Sequence, residues 1–360
     1  MNILIVFVIN SSAITNNIGD VRYEILKKIA YNLSKNFNHN IFVKATNRNT
    51  ILTTHLKNNY TIFNELKHKK LINLIITWSP PLVDYDSYHV PKIVYENGHM
   101  KNSIIIDPQG LLGKSFYRNT LNNLCELDYK KDKCEKWREY YLHQNSSKRI
   151  QSNIIDIPSD ILGKYVFIPT QKHTDVSLAD SKITMLNCLK RAAELCSREK
   201  IPLVIKIHPH LITKKKLWGA QFNLIKKLQN QYGNIFHSQA SINYLMKNAR
   251  FTMCLNGSTL MDNFINNTPV LTLADSMYQY TDAVVYRDNI IDGFNTMINN
   301  DYDYYKMMDK QKKIVWWYIN NNLFLENSAE QNTNILNNHL KAFNPELSLL
   351  PSESLNKTLI

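Results

Sequence analysis

Leu203-Val204-Ile205-Lys206-Ile207-His208-Pro209 is a short apolar run, rich in β-branched residues, that closes on a cation, an imidazole and a proline. It has the length of one buried parallel strand, so its polar residues fall at the C-terminal end, where an open α/β sheet binds ligands. A second run, Phe251-Thr252-Met253-Cys254-Leu255, ends in Asn256-Gly257-Ser258-Thr259 and passes into the helical pattern Leu260-Met261-Asp262-Asn263-Phe264-Ile265. A small, hydroxyl-bearing turn that opens a helix presents backbone N–H groups and a positive dipole end, a suitable seat for phosphate. Both strand ends are expected to face one crevice.

Outward from this pair the same rhythm repeats. Upstream, Tyr165 to Pro169 reads as a strand leading into Gln171-x-x-x-Asp175, and Ser181 to Glu199 as a helix. Downstream come helix Ile242 to Lys247, helix Thr259 to Asn266 and strand Val270 to Leu273. Strands that alternate with helices at this pace predict a doubly wound parallel sheet. The first half begins alike, with strand Asn2 to Val8, a helix from Gly19-Asp20, strand Ile41 to Ala45, a helix over Tyr60 to Lys67, and strand Leu71 to Trp78 before Pro80-Pro81. Pro91 to Gly98 and Ser103 to Gly110 are β-rich runs that close on Glu96 and Asp107. Residues 116–147 read as helical, with Lys130 to Arg138 as a solvated charged face and Gln144 to Asn153 as the linker. The expected organisation is a first Rossmann-like domain over 1–150, a second over 155–300, crossover helices over 301–340 and a loose tail over 344–360.

Lys206-x-His208-Pro209, Asn256-x-Ser258-Thr259-x-x-Asp262 and Thr268-Pro269-Val270 together resemble the capsule polysaccharide biosynthesis glycosyltransferases, including β-Kdo transferases. More distantly they are similar to bacterial sialyltransferases that carry an His-Pro motif. Glu96-x-Gly98, Asp107-Pro108-x-Gly110 and Gln171-x-x-x-Asp175 extend the resemblance into the rest of the chain. It implies a GT-B-like pair of Rossmann-like domains facing a cleft, with C-terminal helices crossing back. It also implies a nucleotide-sugar donor, commonly a CMP-linked acidic sugar, and a glycan or glycolipid acceptor. In that family His208 and the Ser258-Thr259 turn would touch the donor phosphate, and Asp262 would reach the ribose hydroxyls. Lys206, Pro209, Asn256 and Gly257 complete the implied donor-binding set. The chain departs from the family pattern at two places: Asp262 stands where Glu is usual, and Gly257 where a second Ser is common.

Transfer from an activated sugar needs a base for the acceptor hydroxyl or a carboxylate nucleophile. Asp175, Glu96 and Asp107 are the candidate carboxylates, with Asp175 preferred and turn capping the alternative for each. Tyr278 and Tyr280 follow the last clear strand and suit either core packing or stacking on a base. His173, His210 and Lys214-Lys215-Lys216 add positive potential near the same strand ends. No metal or cofactor is expected, because Lys206, His208 and a helix N-terminus can offset the donor charge.

Basic residues outnumber acidic ones 43 to 30, a formal charge of +13 that suits anionic partners such as nucleotide-sugars, acidic glycans or an anionic membrane surface. Nucleic acid is not expected. Cys125, Cys134, Cys188, Cys196 and Cys254 are scattered and odd in number, which reads as reduced thiols in a cytoplasmic protein. No stretch approaches the ~20 apolar residues of a membrane span, so any membrane contact is peripheral. Two rivals remain: a teichoic-acid-type polyol-phosphate transferase using a CDP-linked donor, and a non-catalytic glycan- or lipid-surface-binding protein of degenerate fold. Asp-Tyr-Ser-Ser, typical of the first rival, is replaced here by Leu255-Asn256-Gly257-Ser258.

Overall fold

The computed structural model describes residues 1–7, 21–45, 60–78, 89–110, 112–145, 147, 151–172, 178, 181–212 and 215–350. The chain divides into two compact units, one of Met1–Gly98, Asn102–Phe116 and Asn320–Ile360, the other of His99–Lys101 and Tyr117–Ile319. The division falls at Phe116, well before the expected linker near residue 150. Side-chain bonds explain the shift. Arg138, expected on a solvated face, is buried and donates from Nε and Nη2 to the Ile265 carbonyl at 3.0 and 2.5 Å. Within the expected linker, Gln151 Oε1 accepts from the Ile242 backbone N–H at 2.9 Å. These residues are therefore bound into the second unit.

In the first unit, β1 (Asn2–Phe7), β2 (Asn40–Ala45), β3 (Thr61–Ile62), β4 (Leu74–Trp78), β5 (Lys92–Asn97), β6 (Ser103–Asp107) and β13 (Leu323–Phe324) form one sheet in the order β13-β6-β5-β4-β1-β2-β3. The pairs from β3 through β5 are parallel, whereas β5–β6 and β6–β13 are antiparallel. Only residues 98–102 join β5 to β6, too few for a crossover, so the chain turns back as a hairpin. Tyr60 to Lys67 is not one helix. Thr61 and Ile62 pair with β2 instead, because β-branched residues at a sheet edge gain ladder hydrogen bonds that outweigh helix propensity.

Helix α1 (Val21–Lys35) buries Ile25, Leu26, Ile29, Ala30 and Leu33 at helical spacing. Against it lies α12 (Ala329–Phe343), opened by a Ser328–Gln331 capping box and burying Leu336 and Leu340 in the same core. A buried bond from Asn32 Nδ2 to Thr333 Oγ1, 2.8 Å, fixes their register. The chain thus returns to its first unit, as expected, but the return begins at Asn320. The long aromatic helix α11 (Tyr304–Asn321) belongs almost wholly to the second unit. The tail is not loose through residue 350. Leu349 is fully buried, its N–H donates to Asn337 Oδ1 at 2.7 Å and its carbonyl meets His39 Nε2 at 2.8 Å.

The second unit holds β7 (Val166–Pro169), β8 (Leu203–Lys206), β9 (Ile235–His237), β10 (Phe251–Cys254), β11 (Val270–Thr272) and β12 (Val285–Tyr286), all parallel, in the order β12-β11-β10-β7-β8-β9. Counted from its first strand this is 3-2-1-4-5-6, the dinucleotide-binding order, whose switch point lies between β7 and β10. The strands are buried on both faces, as near-continuous apolar runs require. Helices α5 (Met185–Arg198), α7 (Lys215–Gln231) and α10 (Ile290–Ile298) supply one core around Leu189, Ile225, Phe251 and Phe294. Two α/β units of Rossmann-like build are what the sequence predicted, the antiparallel margin of the first sheet excepted. All five cysteines are buried and free. Among the described residues, no helix is long and apolar enough to cross a membrane.

Candidate functional site

The strand ends the sequence singled out lie at one edge of the second sheet, β10 at the switch point and β8 on the other side of β7. Helix α9 (Thr259–Asn266) starts directly above β10. Its N-cap is Ser258, whose side chain makes no capping hydrogen bond, and Gly257 before it adopts φ +108°, a conformation that L side chains rarely take. Gly257, Ser258 and Thr259 are half-buried while Asn256 and Leu260 on either side are buried, so the first turn of the helix opens outward from a closed frame. Hydroxyls, backbone and dipole converge there.

Asn256 does not reach out to a ligand. It is buried, accepts from Gln171 Nε2 at 3.0 Å and donates from Nδ2 to the Asp275 carbonyl at 3.0 Å. One amide thereby ties the ends of β7, β10 and β11. Gln171 is itself fastened, its carbonyl accepting from the fully buried Gln221 at 2.8 Å. A Cβ added at Gly257 would stand 3.2 Å from Gln171 Nε2. The Gln171 amide thus crowds the space that a side chain at position 257 would take.

His208 follows β8, and its N–H donates to Thr170 Oγ1 at 3.0 Å, which joins the ends of β8 and β7. The ring is half-buried at the same C-terminal edge. Pro209 is the first residue of a single turn, α6 (Pro209–Ile212), where its missing N–H costs nothing. Lys206 departs from expectation. Its Nζ donates to the carbonyls of Gln239 and Ala240 at 3.1 and 2.6 Å, and burial pulls the ammonium below its ordinary range, partly offset by Asp156. Those bonds hold its ammonium on the loop after β9, on the side of β8 away from the switch point, as a brace for that loop.

Asp262 also departs. It is 3% exposed within α9, and burial first, with the neighbouring Asp262 charge second, pushes the Tyr141 phenol up. The carboxylate is thus enclosed, within electrostatic reach of Tyr141 on α4 (Lys131–His143).

The two tyrosines separate. Tyr278 is fully buried, edge-on to Phe264 at 5.0 Å and 3.0 Å from His99 Nδ1, a core residue. Tyr280 is 55% exposed, with the Arg118 guanidinium 5.0 Å over its ring. Arg118 Nη2 also donates to Asp275 Oδ2 at 3.1 Å, and Tyr286 Oη donates to Asp275 Oδ1 at 2.7 Å. Asp275 and Arg118 lie at the same edge, just beyond β11, and were not among the predicted site residues.

In the first unit the candidates part. Glu96 stands at the C-terminal end of β5, the ligand-binding end of the parallel strands. Asp107 pairs with Val94, near the start of β5, and so lies at the opposite margin. It is 1% exposed and saturated: Oδ1 accepts from the N–H groups of Gln109, Gly110 and Phe116 at 2.8 to 3.0 Å, and Ser115 Oγ donates to Oδ2. Burial pushes its carboxyl up while those donors pull it back. Asp107 anchors the turn to Gly110 together with Ser115 and Phe116, which is the turn-capping alternative. Asp175, His173, Lys214 and the side chains of His210, Lys215 and Lys216 lie outside the described residues.

The family described as capsule polysaccharide biosynthesis protein matches residues 115–294, half of the chain. No curated protein sequence matches. Among solved structures, the chain is similar to the β-Kdo 2,4 transferase of Thermosulfurimonas dismutans KpsC (14% identity, TM-score 0.48, covering 64% of this chain and 79% of that one). It is also similar to the β-Kdo 2,7 transferase of the same organism's KpsC (13%, TM-score 0.46, 88% and 89%). A third likeness is to a glycosyltransferase from Rickettsia africae (13%, TM-score 0.41, 94% and 98%).

Proposed function

Since the chain belongs to the capsule polysaccharide biosynthesis protein family, we propose that it is a glycosyltransferase that transfers an acidic sugar of the Kdo kind from a CMP-linked donor to a glycan or glycolipid acceptor. The observation that carries this reading is the first turn of α9, open at the switch point with the Ser258 hydroxyl unspent on capping, and His208 at the same sheet edge after β8, on the far side of β7. As the glycosidic bond to the phosphate breaks, negative charge grows on the departing phosphate oxygens. The Ser258 and Thr259 hydroxyls, the helix N-terminus and His208 would meet that charge, and donors already fixed in place lower the barrier. Asn256 and Gln171 hold this seat in shape without touching the donor. The attacking hydroxyl loses its proton to a carboxylate, or a carboxylate attacks first, and Glu96 and Asp175 are the two from which that group is drawn. The positive dipole and imidazole do here what a divalent ion does elsewhere, so we expect no metal requirement. The +13 charge supports a peripheral stay on anionic membrane, where a glycolipid acceptor would be found.

A thermal-shift panel of CMP, CDP, UDP and GDP tests the reading. Stabilisation by CMP above the others is the expected result. Polyol-phosphate transfer from a CDP-linked donor also releases CMP, so offering a CMP-sugar and a CDP-polyol as alternative donors separates those two readings, and silence toward all four nucleotides would mark a surface-binding protein.

A further inference from the structure

If a phosphate sits on the first turn of α9, the nucleoside attached to it needs a hydroxyl acceptor nearby, and the carboxylate on that helix is enclosed. The unit β10–α9–β11 has the plan of a mononucleotide-binding βαβ: a turn at the helix start for phosphate, and an acidic residue about 20 residues further along, beyond the next strand, for the ribose. Asp275 meets that spacing from Asn256. It follows β11, its own carbonyl is held by Asn256 Nδ2, and its carboxylate is 39% exposed. Arg118 and Tyr286 each take one of its oxygens, which fixes its orientation, and a carboxylate can accept about four hydrogen bonds in all. Beside it, Tyr280 lies under the Arg118 guanidinium with more than half its surface open, a flat and partly cationic platform at the same edge.

We propose that Asp275, and not Asp262, receives the ribose hydroxyls of the bound nucleotide, and that the Tyr280–Arg118 stack flanks its base. This rests on the nucleotide-sugar reading above and assigns the nucleoside half of that site. The α9 turn takes the phosphate, Asp275 takes the diol, and the aromatic face excludes water from one side of the base.

The test is calorimetric titration of the full chain with whichever of CMP, CDP, UDP and GDP binds, against the 2′,3′-dideoxy form of the same nucleotide. Wild type is expected to favour the ribose form by roughly tenfold or more, the worth of a hydrogen bond to a charged acceptor. Asp275→Asn should bring that ratio close to one, while Asp262→Asn should keep it. Tyr280→Ala, a change on an open surface, should weaken both forms equally, by about tenfold. A ratio that survives in Asp275→Asn, a ratio lost in Asp262→Asn instead, or unchanged affinity in Tyr280→Ala would overturn the assignment while leaving the nucleotide reading intact. Failure of wild type to bind any of the four would overturn both. Circular-dichroism melting of each variant separates lost binding from lost fold.

Discussion

The two sheets share the strand order 3-2-1-4-5-6 and differ at the last step. In the second unit β11 continues to β12 in parallel, and every strand delivers its C-terminal residue to one edge. In the first, β5 reverses into β6, and residues at the ends of consecutive strands go to opposite edges. Glu96 and Asp107 look alike in sequence, each a carboxylate closing a β-rich run. One reversal makes the first a candidate for chemistry and the second a turn anchor. The same order of strands therefore gives a different map of functional ends, and the length of a single connection decides which.

The sharpest way to break this contrast is to neutralise carboxylates on the two edges. Of Glu96→Gln and Asp175→Asn, one is expected to lose roughly 10²–10⁴ in turnover with nucleotide affinity and melting temperature kept, as removal of a general base or nucleophile does. Both variants transferring sugar at near wild-type rate would remove those side chains from the chemistry. On the second sheet, His208→Ala should cost about 2.7–4 kcal/mol of transition-state stabilisation and also weaken nucleotide binding. A loss seen only in KM would show that His208 holds the donor equally before and during bond breaking.

A third measurement concerns what fastens the first sheet. His339 in α12 is buried beside the Asn321 carbonyl at 2.6 Å, and burial lowers its pKa from the ordinary 6.5 to about 4. The unfolded chain binds this proton first as pH falls. Stability is thus complete above pH 6.5 and is lost on acidification toward pH 4, by about 3 kcal/mol at 1.36 kcal/mol per unit. Denaturant melts across that range should show the slope, and His339→Gln should flatten it. Asp107→Ala comes next, a loss of roughly 2 kcal/mol in stability from the donors it strands, with turnover per folded molecule unchanged. Smallest is Gly257→Ala, about 1 kcal/mol from the positive φ alone, read as a lower melting temperature and a weaker nucleotide response.

The central strands were legible because buried parallel strands read as unbroken apolar runs, and the α9 turn because small hydroxyl residues at a strand-to-helix junction mark a helix start, whose free N–H groups serve capping and anion binding alike. The reversal at residues 98–102 was also written in the chain: Asn97-Gly98 between two β-rich runs is a hairpin signal, and its shortness excludes a crossover. Lys206 and Arg138 were not legible. Each is a cation whose partners are backbone carbonyls distant in sequence, at Gln239, Ala240 and Ile265, and a carbonyl carries no residue identity to read. Asp275 was hidden for a related reason. Arg118 precedes it by a long stretch of chain, so only the fold shows that the two meet, although its spacing from Asn256 offered a clue.

The strap formed by β13 and α12 has a bearing on how the protein is made. The first sheet and α1 leave the ribosome early, yet the helix that covers α1 and the strand that covers β6 come from residues 320–350. The intervening Tyr117–Ile319 must be translated first, about 200 residues, or roughly 10 to 40 s at about 5–20 residues per second. Throughout that interval the apolar face of α1 waits for a partner not yet synthesised, while the second unit, encoded without interruption after Tyr117, can close on itself. The nascent chain is therefore expected to complete its later-made sheet before its earlier one, and to be most exposed to chaperones and proteases at its beginning.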